Sequence, residues 1–186
     1  MARSLWMGLS LLTAAALAGC ATPPAEPQPE PPPAEAPPSA SPRPSTIGSD
    51  QSFINQAIGM GEAESGMGRL ADGKAASKPL RAFAARMTTE HTRANQQLAM
   101  LAKRLNLQVA PPPDQPPPEL LTTTGPEFDR QYLDLVIKSH QNMIALFESE
   151  ANNGQDVRVK HYAGSMLPVL RHHLHEAETM AHQAGV

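Results

Sequence analysis

Residues 77–106 read SKPLRAFAARMTTEHTRANQQLAMLAKRLN. Leu80, Phe83, Ala84, Met87, Ala94, Leu98, Leu101 and Leu105 recur every three or four positions, the period of an α-helix with one buried stripe. Pro79 falls in the first turn, where a missing N–H costs nothing, and the pattern stops near Asn106. The spacing therefore predicts one long helix. Its stripe holds a single polar intruder, His91, four residues after Met87 and three before Ala94. A stripe of this length must be buried against other helices, which the rest of the chain has to supply.

Three more stretches carry the same period. The first spans about Asp50 to Lys74, with Phe53, Ala57, Met60, Met67 and Ala71 on one face. Its glycines at 59, 61, 66 and 68 each lower helix propensity by about 1 kcal/mol against Ala, and they are read as points of close helix approach. The third opens at Thr124-Gly125-Pro126-Glu127, which fits a capping box, and continues through Phe128, Tyr132, Val136, Met143 and Phe147 to Asn153-Gly154. Asp156 is expected to cap the fourth, whose stripe is Val159, Ala163, Met166, Leu170, Ala177 and Met180 and which Pro168 should kink. No strand is predicted. The link from Leu107 to Gly125 carries two proline triplets, too dense for a helix but long enough to cross a bundle. Four helices of about 25 residues with short outer links and one long middle link specify an all-α, antiparallel four-helix bundle. The long link admits an up-down-up-down order or a ferritin-like crossover in which the second and third helices run parallel.

Each stripe contains one polar residue: Glu64, His91, His140 and His173. All keep the stripe spacing and lie near the middle of their helices, so all four should face inward within about one turn of the same height, roughly 5 Å. Three imidazoles and a carboxylate resemble a site for one Zn, Fe, Mn or Cu ion, and a metal would explain four buried polar groups. The competing reading is a metal-free, hydrogen-bonded ladder of imidazoles and carboxylate. Asp129, Glu148, Glu90 and Glu176 are nearby candidates for supporting partners, with Glu90 and Glu176 expected at the surface. The paired Glu-x-x-His motif of di-iron carboxylate bundles is absent, because Thr88 and Leu170 occupy the required positions, so a ferroxidase is disfavoured. Met60, Met67, Met87, Met143 and Met166 are read chiefly as core filling, with thioether ligation of copper as the alternative. In His172-His173-Leu174-His175 neighbours point about 100° apart, so only His173 is expected inside. No nucleophile with its base, phosphate loop or Cys-x-x-Cys is present, which disfavours an enzyme.

The N-terminus has a basic residue, Arg3, an apolar run from Leu5 to Leu17 too short for a permanent membrane span, and then Leu17-Ala18-Gly19-Cys20. That ending is what a lipoprotein signal peptidase reads. Residues 1–19 are thus expected to be a cleaved signal peptide and Cys20, the only cysteine, to carry the lipid. Ala21 follows where an Asp would favour inner-membrane retention, so the expected location is the outer membrane, facing the periplasm, with the membrane engaged through the lipid on Cys20. Residues 20–48 form a proline-rich linker with nothing to bury, read as a disordered tether of which some 26 residues could reach on the order of 80 Å. Residues 49–186 are the folded domain. The net charge of −3 is mixed in sign, giving no nucleic-acid footprint.

These residues together resemble a known family. Glu64 with Gly68-Arg69-Leu70-Ala71, Phe83-Ala84-Ala85-Arg86-Met87 with Glu90-His91-Thr92 and Asn95, Phe128-Asp129-x-x-Tyr132 with His140, and Leu167-Pro168 with His173-Leu174 resemble domain of unknown function 4142. The resemblance covers about Gln51 to Ala181. It implies a ferritin-like four-helix bundle in an exported protein or lipoprotein and brings no established activity. The leading expectation is a lipid-anchored monomeric bundle that binds a metal through Glu64, His91, His140 and His173, in metal handling or in oxidative or envelope stress. A metal-free lipoprotein that docks an envelope protein partner is the second, and a metal-dependent oxidoreductase the third.

Overall fold

The structure, a computed structural model, describes residues 47–109 and 116–184. The expected signal peptide, Cys20 and tether lie outside the described residues, apart from the two residues of the linker range that open the first helix. Five helices follow in order: α1 (Ile47–Lys74), α2 (Lys78–Arg104), α3 (Pro118–Thr122), α4 (Gly125–Asn153) and α5 (Val157–Ala184). The four long ones are the four expected from the sequence.

The helix ends have local causes. Ser77 caps α2, its hydroxyl accepting from the Leu80 N–H, with Pro79 in the first turn. At the other end Asn106 takes a left-handed conformation (φ 56°), and the N–H groups of Asn106 and Leu107 return to the carbonyls of Lys103 and Ala102 in a Schellman closure. Asp156 accepts from the Arg158 N–H and caps α5 as expected. α5 then continues through Pro168 as one element.

Two local expectations are corrected. The capping box at Thr124 is not formed. Gly125 enters α4 with φ of +66°, a backbone geometry in which the Thr124 side chain makes no capping hydrogen bond, and Glu127 instead holds Arg130 and Gln131. The proline-dense link also contains the short helix α3. Pro118 starts it, where proline is tolerated, and Leu120 plugs into the core with no exposed surface.

The connections fix the direction of every helix. Lys74 at the end of α1 reaches the carbonyls of Leu121 and Thr123, Ala75 bridges Gly125, and Asp129 in the first turns of α4 accepts from the N–H groups of Ala76 and Ser77. The α1–α2 turn and the start of α4 therefore share one end of the bundle. At the opposite end Gln51 meets Gln108 just after α2, and Asp50 accepts from the N–H groups of Gln155 and Asp156 in the α4–α5 turn. α2 thus ends at the bundle end opposite to the one where α4 starts, and α2 and α4 run parallel. This is the ferritin-like crossover. α1 packs on α2 and α4, and α5 on α4 and α2, so neighbours around the square are antiparallel.

α1 and α2 approach closely at two glycines. A Cβ on Gly68 would lie 2.7 Å from the Ala84 carbonyl oxygen, and one on Gly61 would lie 2.3 Å from Asn95 Oδ1. The core is divided in two. Met67, Leu80, Phe83, Met87, Phe128, Tyr132 and Val136 fill the half near the α1–α2 turn. Phe53, Ile54, Leu98, Met143, Phe147 and Leu170 fill the other. Between them runs a belt of buried polar residues, one from each long helix.

Candidate metal centre

The belt consists of Glu64 on α1, His91 on α2, His140 on α4 and His173 on α5. Each is buried, with relative exposures of 0%, 5%, 0% and 1%. Each replaces an apolar residue at the point where its helix's stripe passes from one half-core to the other. His91 lies between Met87 and Leu98, and His140 between Val136 and Met143.

The three imidazoles meet in a nearly equilateral triangle. Their ring centroids are 5.4 Å apart for His91–His140, 5.6 Å for His91–His173 and 5.5 Å for His140–His173. One nitrogen from each lies within 4.8 Å of the other two. An ion at the usual 2.0–2.1 Å from each nitrogen needs separations of about 3.3–3.5 Å, so small ring movements complete the triangle. Glu64 stands beside the trio and not in it: its Oε1 is 3.7 Å from His140 Nδ1.

The hydrogen bonds sort the nitrogens. His140 Nδ1 is 2.9 Å from the Val136 carbonyl oxygen, which can only accept, so this nitrogen carries the proton and Nε2 keeps the lone pair. His173 Nε2 is 2.6 Å from Glu90 Oε2. Of the other nitrogens, His91 Nε2, His140 Nε2 and His173 Nδ1 are buried without a hydrogen-bond partner. For His140 and His173, one ring nitrogen anchored and the other bare is the arrangement that metal-ligating histidines use.

Electrostatics keep the imidazoles neutral. Burial, followed by the charges His140 and His173 would carry, depresses His91 well below the ordinary imidazole value. Burial takes His140 down to about 4, against a smaller opposing effect of its bond to Val136. His173 is also lowered, by burial first, although Glu90 pulls it back. Glu64 is pushed up to about 8 by complete burial, with the Ser139 hydroxyl acting weakly the other way, and neither carboxyl oxygen makes a well-formed hydrogen bond. The Tyr132 hydroxyl is a further buried group without a partner, raised by burial and by the Glu64 charge.

Of the other residues singled out from the sequence, Asp129 ties α4 to the α1–α2 turn, Glu148 pairs with Arg171 on the surface, and Glu176 pairs with Arg86 at 2.6 Å. Met67, Met87 and Met143 are core residues. Glu90, a candidate supporting partner expected at the surface, has a side chain 41% exposed that holds the buried imidazole of His173. Arg86 and Glu90 are one turn apart on α2, as are His173 and Glu176 on α5, a complementary pairing that becomes visible once the two helices are known to be neighbours.

The sequence profile of the family described as a domain of unknown function (DUF4142) matches residues 33–180. No curated protein matches the sequence. Among solved structures, a DUF305 protein from Streptomyces coelicolor superposes with a TM-score of 0.67 at 13% identity, over 76% of this chain and 97% of that one. CopM in its Cu(I)-bound form gives 0.64 at 16% identity, over 72% and 96%. A DUF305 fragment from Deinococcus radiodurans gives 0.63 at 15% identity, over 73% and 97%. CopM has also been solved with silver and with Cu(II). At these identities the likeness is one of fold.

Proposed function

Since the chain belongs to the DUF4142 family, a domain of unknown function, we propose its role from its own site: the bundle binds one transition-metal ion through His91, His140 and His173, with Glu64 beside them to offset charge. The observation that carries this reading is the set of three buried inner nitrogens with no partner. In a metal-free core each would be an unsatisfied polar atom costing about 1–3 kcal/mol, and the two Glu64 oxygens would add to that. A cation bound by all three nitrogens removes the deficit.

Neutral nitrogen donors in an apolar setting suit copper, zinc and iron better than the oxygen-seeking Mn of the wider expectation. Copper is preferred, because the related bundle CopM has been solved with Cu(I), Cu(II) and silver. The N-terminal sequence supports an exported protein held by a lipid on Cys20, with the tether carrying the bundle off the outer membrane into the periplasm. The role is metal handling in the envelope.

Elemental analysis tests this on protein purified from the envelope. The wild type should carry close to one ion per chain, and His91→Ala/His140→Ala should carry none while remaining helical by circular dichroism. A metal-free wild type that stays so after incubation with Cu(I), Cu(II) and Zn(II) would refute the reading. Mass spectrometry of the same wild-type sample should find a lipidated Cys20 as its first residue; an unmodified Cys20 would refute the anchor.

A further inference from the structure

The loosest seam of the bundle, between α2 and α5, passes over the triad. Its rim has two polar pairs one turn apart. Arg86 meets Glu176 at 2.6 Å, with His172 Nε2 a further 3.3 Å from the same Glu176 oxygen. Glu90 meets His173 at 2.6 Å. The pairs differ in what lies behind them. Arg86, Glu176 and His172 are all partly in solvent, whereas the His173 side chain is only 2% exposed, its other nitrogen is buried without a partner, and its ring packs beside those of His91 and His140.

A neutral imidazole has one proton and two nitrogens, so the partner of one nitrogen decides which one can ligate. For His140 a backbone carbonyl makes that choice, and no substitution can remove it. For His173 the choice falls to a side chain. A carboxylate in contact with solvent accepts and does not donate, so the nitrogen facing it must carry the proton.

We propose that Glu90 is a positioning residue of the metal centre: by accepting the Nε2–H of His173 it fixes the tautomer whose bare Nδ1 completes the triangle. This rests on the metal reading above. The bond also fixes the ring rotation and raises the basicity of the ligating nitrogen, effects typically worth 10–100-fold in metal affinity. Glu90→Gln separates these roles from simple contact. A glutamine amide of the same size can present either its oxygen or its NH₂ to Nε2, so the tautomer is no longer enforced.

The test uses the full chain labelled with ¹⁵N at histidine, studied metal-free in chelator and then titrated with Cu(I) under a competing chelator. In the wild type the His173 ring should give the signature of an Nε2–H tautomer. Glu90→Gln should give a mixture or the Nδ1–H form and lose about 10–100-fold in affinity. Arg86→Gln, which breaks the neighbouring pair on the same seam, should keep the tautomer and stay within about twofold of wild-type affinity. A wild-type Nδ1–H tautomer, a Glu90→Gln variant unchanged in both readouts, or an equal loss in Arg86→Gln would overturn the proposal. A wild type with the expected tautomer but no Cu(I) binding would instead sink the metal reading, and with it the role assigned to Glu90.

Discussion

A buried imidazole keeps a lone pair for a ligand only while it is neutral, and a buried carboxyl beside it follows the opposite logic. Glu64 has a folded pKa of about 8 against 4.5 for an unperturbed side chain, so between these values the folded protein holds a proton that the unfolded chain has lost. Stability from this group is present at low pH and is lost as the pH rises towards 8. His140, lowered to about 4, acts the other way: its contribution is present above 6.5 and lost as the pH falls to 4. In chelator, thermal stability should therefore fall between pH 6 and 8 in the wild type, by at most about 3 kcal/mol, and fall less in Glu64→Gln. Parallel curves for the two proteins would show that Glu64 does not titrate there. The inward direction of the four belt residues was legible because each interrupts an otherwise apolar stripe. Which side of His140 Glu64 takes was not, since helical spacing fixes a face and a height but not a side-chain rotamer. Which imidazole Glu90 would hold was not legible either, because it neighbours His91 and so points about 100° away, a direction that meets α5 only once the packing is known.

At the level of elements the two helical hairpins hold one another reciprocally. Asp129, on α4, accepts two N–H bonds from the α1–α2 turn, and Asp50, on α1, accepts two from the α4–α5 turn. Both carboxylates are buried, so Asp129→Ala or Asp50→Ala should cost about 1.5–3 kcal/mol in urea unfolding, more than a surface substitution would. A change under 0.5 kcal/mol would remove these ties from the account. The α1–α2 contact gives a paired prediction. Gly68→Ala brings a methyl within 2.7 Å of a backbone oxygen and should destabilise by about 1–3 kcal/mol despite better helix propensity. Gly66→Ala meets nothing nearer than 3.7 Å and should stabilise by up to about 1 kcal/mol. Equal effects would mean that helix approach does not depend on Gly68. The long helices were legible from periodicity, while α3 was hidden because proline density speaks against a helix unless the proline is the residue that starts it. The failed capping box at Thr124 has a similar origin, as the motif is written in residue types and Gly125 alters the backbone beneath it.

For the whole molecule, the crossover brings α2 and α4 parallel and lets all four long helices deliver one polar residue to the boundary between two apolar half-cores. The sequence left the crossover and the up-down order both open, because a link of that length serves either; the contacts of Asp50, Asp129 and Lys74 decide it. An ion at that boundary would join both halves, so binding should raise the stability of the entire bundle, by about 2.7 kcal/mol at a hundred times the dissociation constant. Calorimetry should find one cooperative transition moved upward, and a bound ion that leaves the transition in place would contradict a site in the core. The most direct test is an anomalous-difference map from crystals of the protein loaded with copper and measured at the metal's absorption edge. The account predicts one dominant peak bounded by His91 Nε2, His140 Nε2 and His173 Nδ1; a peak only at surface histidines such as His172, His175 or His182, or none at all, would contradict it.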